Sequence, residues 1–152
     1  MKANRRKSLT CLRKSFLMNH KFTEKNKPYR WLDRRVAKPG PFLTLCLTPE
    51  EMRHAAQGLT DYHMEFPKWG ARAFLFPKDG TNDLCAIVTL AEDSQKNHSA
   101  IEIAGMLVHE AVHVWQYYAN GMGEDKPGDE QEAYAIQAMS QELMAEYARR
   151  IS

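Results

Sequence analysis

His109, Glu110 and His113 stand in the order His-Glu-x-x-His. Residues four apart on an α-helix share a face, so two imidazoles at this spacing can hold one zinc ion while the adjacent glutamate takes a proton from water. A lone histidine is more often a hydrogen-bonded core residue. A pair at this spacing, with glutamate second, favours the metal in a chain with only 6 histidines.

The elements that must position these groups are legible nearby. Ser99 and Glu102 have the S-x-x-E spacing of a capping box, and Gly121 supplies a helix stop, which predicts a helix of about five to six turns with the motif at its middle. Ile101, Ile103, Ala104, Leu107, Val108, Ala111, Val112, Val114, Trp115 and Tyr118 cover most of its circumference, so the helix is expected to be buried nearly all round. Glu102, His109, Glu110, His113, Gln116, Tyr117 and Asn120 form one polar stripe along it, and such a stripe needs partners.

Catalytic zinc usually takes three protein ligands and keeps one position open. After a loop rich in Gly and Pro, a second helix is predicted from about Asp129 to about Arg150. Glu132 heads the face carrying Ile136, Met139, Leu143 and Tyr147, and a carboxylate aimed at an apolar core is costly unless paired or metal-bound. Glu132 is therefore the expected third ligand. The competing local reading makes Asp129 the N-cap and Glu132 its capping-box partner. Glu130, on the other side of the helix, is the fallback ligand.

These residues resemble the gluzincin zinc metallopeptidases, in which an HExxH helix gives two histidines and a following helix gives a glutamate. The interval of 18 residues between His113 and Glu132 is similar to the thermolysin and aminopeptidase pattern, while the compact chain and the run Glu132-Ala133-Tyr134-Ala135-Ile136-Gln137 resemble small phage and prophage metallopeptidases. The resemblance covers roughly residues 40 to 150 and implies His109, His113 and Glu132 as zinc ligands, Glu110 as general base, and a peptide or protein as substrate. One position departs from it: thermolysin-like members carry an aspartate four residues after the ligand glutamate, where this chain has Ile136. Gln137, Tyr134 or a backbone carbonyl must then orient the ligand histidines.

The chemistry implied is metal-assisted hydrolysis, with Glu110 passing a proton from water to the leaving amine. A further donor to the developing oxyanion is expected, and His98, Tyr117, Tyr118 and Tyr134 all remain open.

At 152 residues the chain fits one domain with a sizeable core. Cys11, Cys46 and Cys85 are odd in number and contain no C-x-x-C pair, so neither a cysteine zinc knuckle nor a disulfide framework is indicated and a reducing compartment is the simpler reading; Cys46 and Cys85 lie in apolar runs and read as core thiols. No apolar run is long enough to span a membrane, the basic start lacks a signal peptide's apolar stretch, and the expected location is cytoplasmic.

Residues 1–38 hold 13 Lys or Arg against Glu24 and Asp33, whereas residues 39–152 hold 8 basic and 17 acidic side chains. A basic N-terminal arm, partly disordered in one reading, thus precedes a zincin-like domain at 39–152. Such an arm could bind nucleic acid, anionic lipid or the acidic body of its own domain, and Phe16, Phe22, Tyr29 and Trp31 among its cations would suit stacking on single strands. Met18 is an alternative start.

Phe42 to Leu47 reads as a strand. Thr48-Pro49-Glu50-Glu51 starts a helix ended by Gly58, and Ala71 to Phe76 with Leu84 to Leu90 reads as an antiparallel hairpin able to offer an edge to extended substrate. Trp69, Trp115 and the methionines read as packing residues. The expected fold is α+β: a small antiparallel or mixed sheet, a buried zinc helix, and a C-terminal helix bringing Glu132 to the metal. Two other classes compete with the zinc hydrolase. One is a zinc-binding scaffold without catalysis, and the other is a nucleic-acid-associated protein acting through the basic arm.

Overall fold

The computed structural model describes residues 26–32, 41–60, 63–77, 84–123 and 126–152. Three strands, β1 (Phe42–Cys46), β2 (Ala71–Pro77) and β3 (Leu84–Leu90), form a mixed sheet in the order β1-β3-β2. β1 runs parallel to β3 with Leu43 opposite Ala86, and β2 runs antiparallel to β3 with Ala73 opposite Val88. The expected hairpin is therefore present, and the fold is a small α+β domain.

β3 is central because it can be buried on both faces; Cys85 to Leu90 is a nearly continuous apolar run. Alternation along the strands sends Leu43, Leu45, Ala86, Val88, Leu90, Ala71, Ala73 and Leu75 to one face, where they meet the two long helices. Cys46, Ile87, Phe74 and Phe76 go to the other face, under α1 (Pro49–Ala55). Both core thiols are buried as expected, and burial, reinforced by the nearby Glu51 carboxylate against the opposing Arg150, pushes the Cys46 thiol far above its ordinary value.

A short helix absent from the sequence reading, α2 (Glu92–Asn97), lies between β3 and the zinc-motif helix. Its N-cap is Ala91, which makes no side-chain cap bond, so the usual start signal is missing. Tertiary bonds hold it instead. Gln95 donates from Nε2 to the carbonyls of Leu47 and Leu90, and the Ser94 hydroxyl accepts from Gly70 N–H at 2.7 Å.

The two long helices are α3 (Ala100–Gly121) and α4 (Asp129–Ile151). Ser99 and Glu102 complete the capping box in both directions, and the Ser99 N–H and hydroxyl bonds hold the Glu102 carboxyl below its ordinary value. The stop differs from expectation: Gly121 is the last helical residue, and Gly123 takes the left-handed conformation (φ 75°) that ends the turn.

α3 leaves the end of β3 through α2 and finishes with Gly121 against the Leu84 side chain at the start of β3. α4 returns antiparallel, because Arg150 at its far end reaches Glu51 and the Leu45 carbonyl beside the other end of the sheet.

Two buried carboxylates fasten that return. Glu51 was expected to complete a capping box with Thr48; Thr48 does accept from Glu51 N–H, but the Glu51 carboxylate accepts from Leu47 N–H at 2.8 Å and from Arg150 at 2.6 Å. Glu146, fully buried, accepts from Arg149 and from Arg30 Nε at 2.8 Å.

Arg30 belongs to the basic stretch, so part of that stretch docks on the domain. Tyr29 and Leu32 are buried, Trp31 bridges Thr44, Leu32 N–H reaches the Leu43 carbonyl, and Tyr29 hydrogen-bonds His54. The Arg30–Glu146 ion pair thus joins the basic stretch to an acidic residue of the body. Residues 1–25, including Phe16, Phe22 and the alternative start at Met18, lie outside the described residues.

Trp69 is a correction. It is 79% exposed, because it precedes Gly70 at the mouth of β2, where no described element covers it.

Two outcomes follow from the buried carboxylates. Arg150→Met strands Glu51 in the core and should cost about 3 kcal/mol, read as a fall of several degrees in Tm. For Glu146, burial alone would raise the pKa, but the bonds from Arg149 and Arg30 outweigh it and hold the carboxyl below its ordinary value. Its contribution is therefore complete above the unfolded carboxylate value of about 4.3 and is lost as pH falls through the folded value. Urea midpoints measured between neutral and acid pH should fall less steeply for Glu146→Gln than for the parent; parallel profiles would exclude Glu146 as a source of acid lability.

Candidate metal centre

On α3 the buried residues are Ile103, Leu107, Glu110, Ala111, Val114, Trp115, Tyr118 and Ala119, which form one side of the helix. Burial all round was expected and is not found. Ile101, Glu102, Gly105, His109, Gln116, Tyr117 and Asn120 are exposed, because the sheet and α4 together cover only one side of α3. The polar stripe therefore meets solvent, and His109 and His113 lie within it.

The two imidazoles converge. His109 Nε2 and His113 Nε2 are 3.0 Å apart with the rings nearly perpendicular at 82°. Two Zn–N bonds of about 2.05 Å at a tetrahedral angle place their nitrogens about 3.3 Å apart, so the separation is close to what one zinc ion demands. Neither ring hydrogen-bonds any other described residue, and neither Gln137 nor Tyr134 serves as the orienting partner: both are exposed and sit on the side of α4 away from Glu132.

Glu110 is 6% exposed, and its carboxylate makes no hydrogen bond or ion pair with a described residue but keeps contact with solvent; the buried side-chain polar atom left without a partner among the described residues is Trp115 Nε1.

Glu132 lies on the face of α4 that carries Ala135, Met139, Leu143 and Glu146, all buried, so it points to the α3 side as the stripe predicted. The capping alternative fails, since the N-cap is Gly128, no side chain caps the helix, and the Glu132 carboxylate has no partner among the described residues. Glu130 is exposed, as its position around the helix implied.

Among the described residues, however, no group of three His, Cys, Asp or Glu side chains is assembled for a metal; the histidines meet each other, and Glu132 does not join them. Helix rise gives the reason. His113 lies eight residues before the end of α3, about 12 Å, while Glu132 lies three residues into α4, roughly 4.5 Å, which leaves an axial offset of about 7 Å between antiparallel helices.

The four possible oxyanion donors now separate. His98 caps α2 and precedes His109 by 11 residues, about 16 Å along the helix. Tyr118 is buried on the opposite face against Trp115, and Tyr134 points away from Glu132. Tyr117, 57% exposed, stands one turn beyond His113 on the stripe.

Gly105, one turn before His109, escaped the sequence reading. An interior helical glycine costs about 1 kcal/mol relative to alanine. No described atom lies within 4 Å of where its Cβ would be, so internal packing does not require it.

Compared with protein-family models, curated proteins and solved structures, the chain matches none. The likeness to gluzincins therefore rests on the sequence motif and its spacing alone.

In metal-free protein, Glu132→Met should raise stability by about 1 kcal/mol, because it exchanges a partially buried, unpaired carboxylate for an apolar side chain on an apolar stripe. Thermal melts in chelator test this, and a lowered Tm would reveal a structural partner for Glu132.

Proposed function

We propose that this chain is a zinc-dependent hydrolase of gluzincin type that cleaves peptide or amide bonds. The observation that carries the reading is the convergence of the His109 and His113 Nε2 atoms next in sequence to Glu110, whose carboxylate keeps solvent contact and has no described partner. Two imidazoles and a carboxylate suit zinc, which would supply a Lewis acid and lower the pKa of bound water to about 7. His109 and His113 are the first two ligands and Glu132 is the third, reaching the pair when α4 or its own side chain closes the axial offset.

Glu110 accepts a proton from the attacking water and returns it to the leaving nitrogen. Tyr117 donates to the oxyanion from the next turn. β2 has one edge unpaired among the described residues and packs beside α3, which suits it to hold substrate in an extended conformation. The described helices include none long and apolar enough to cross a membrane, and we assign the site to cytoplasmic substrates.

Metal analysis and turnover test the reading together. Purified protein should hold about one zinc per chain, and His113→Ala and Glu132→Ala should each lose it. Glu110→Gln should keep the metal while hydrolysis of a peptide library falls by roughly 10²- to 10⁴-fold. Zinc content indifferent to both alanine substitutions would remove the ligand assignment. Full zinc occupancy with no hydrolysis of any library member would leave a binding scaffold.

A further inference from the structure

His109 and His113 converge on the exposed stripe of α3, and among the described residues no third His, Cys, Asp or Glu is assembled with them. Zinc in a closed site takes four protein ligands in a tetrahedron. Two imidazoles on one surface are half of such a site, and an identical pair from a second surface completes it.

The flank of the histidine pair is suited to contact. Ile101, Gly105, Val108 and Val112 follow one another at steps of four, three and four residues, the spacing of an apolar helix seam. Ile101 is 85% exposed, Gly105 is exposed, and Val108 and Val112 are half-buried yet belong to neither hydrophobic cluster of the core. Gly105 is a sign independent of the histidines. It gives up helix stability relative to alanine at a position where no described atom needs the space, as close approach by another helix would require. α3 also contains no Lys or Arg to repel a divalent cation.

We propose that zinc joins two copies of this chain through their α3 helices, held by His109 and His113 of each copy in a closed four-nitrogen site. The helices run antiparallel, seam to seam, with the metal on the two-fold axis in the groove above them. An axis level with Ala111, midway between the histidines, sets Gly105 opposite the partner's Tyr117, six residues to either side, and Ile101 opposite the partner's Gly121, ten to either side. Gly105 thus admits the partner's turn at Gln116, and Ile101 is covered beside the partner's Met122, itself 44% exposed. A second copy is the occupant because it brings two further imidazoles and the matching seam at once.

The bridge does not need the hydrolase reading. It shuts Glu132 and water out of the metal, so it is a closed store when zinc is scarce. Excess zinc gives each histidine pair its own ion, which Glu132 and water then complete; that step rests on the reading above.

Sedimentation velocity of the full chain, stripped with chelator and then titrated with zinc, tests the bridge. The protein should be monomeric without metal, dimeric near one zinc per two chains, and monomeric again as zinc passes one per chain. His113→Ala should stay monomeric throughout, whereas Glu132→Ala should still dimerise at one zinc per two chains. Gly105→Leu should melt no lower than the parent, since leucine favours helix, while its dimer weakens by about tenfold or more. A monomer at every zinc level, a dimer that forms in chelator or holds one zinc per chain, or a dimer lost with Glu132→Ala or unmoved by Gly105→Leu would overturn the bridge. A bridged dimer that persists in excess zinc, with no peptide hydrolysed, would defeat the hydrolase reading alone, while hydrolysis by zinc-loaded protein that never dimerises would defeat the bridge alone.

Discussion

The packing of α4 against α3 over one face of the sheet sets everything the candidate site can do. Met139, Leu143 and Tyr147 are buried on that contact with Leu107, Ala111, Val114 and Trp115, and each fixes the rotation of its helix about its own axis. Rotation decides chemistry here, because the same turn of α4 that buries Met139 aims Glu132 at α3, and the same turn of α3 that buries Leu107 and Val114 leaves His109 and His113 outward. A shift of one residue in either stripe would turn Glu132 away from α3 or carry the histidines toward the core.

The far end of this pair is held by charge instead of by apolar packing. Glu51 and Glu146 are buried carboxylates, and each is matched by an arginine from α4. Such pairs are modest sources of stability but strict about geometry, since a buried charge tolerates few alternative arrangements. They anchor the C-terminal end of α4 beside the sheet and, through Arg30, draw the segment around Tyr29 onto the outer edge of β1. The N-terminal end of α4, where Glu132 lies, has no comparable fastening among the described residues. An element pinned at one end and less constrained at the other can adjust at the less constrained end.

The site therefore combines firm and unfinished features. The two imidazoles are preorganised by one helix, and their 3.0 Å separation needs nothing but regular α-geometry. The third carboxylate depends on the relative height of two helices joined by a loop, and that height is a tertiary quantity. Glu110 and Glu132 have no described partner, and their carboxylates keep contact with solvent.

Much of this was legible in the chain because it is local. The capping box at Ser99 and Glu102, the pairing of β2 with β3, the His109–Glu110–His113 spacing and the stripe headed by Glu132 all depend on residues within a few turns of one another, where helix and strand periods act directly. What only the tertiary structure decided involves groups far apart in sequence or surfaces left uncovered. Glu51 forgoes its local cap for Arg150, α2 forms without a cap residue, Trp69 and one side of α3 face solvent because no element remains to cover them, and Glu132 stops short of the histidines by the stagger of two helices. Periodicity states which way a side chain points. It carries no information on how far one helix slides along another, and that distance decides whether Glu132 can meet the two imidazoles.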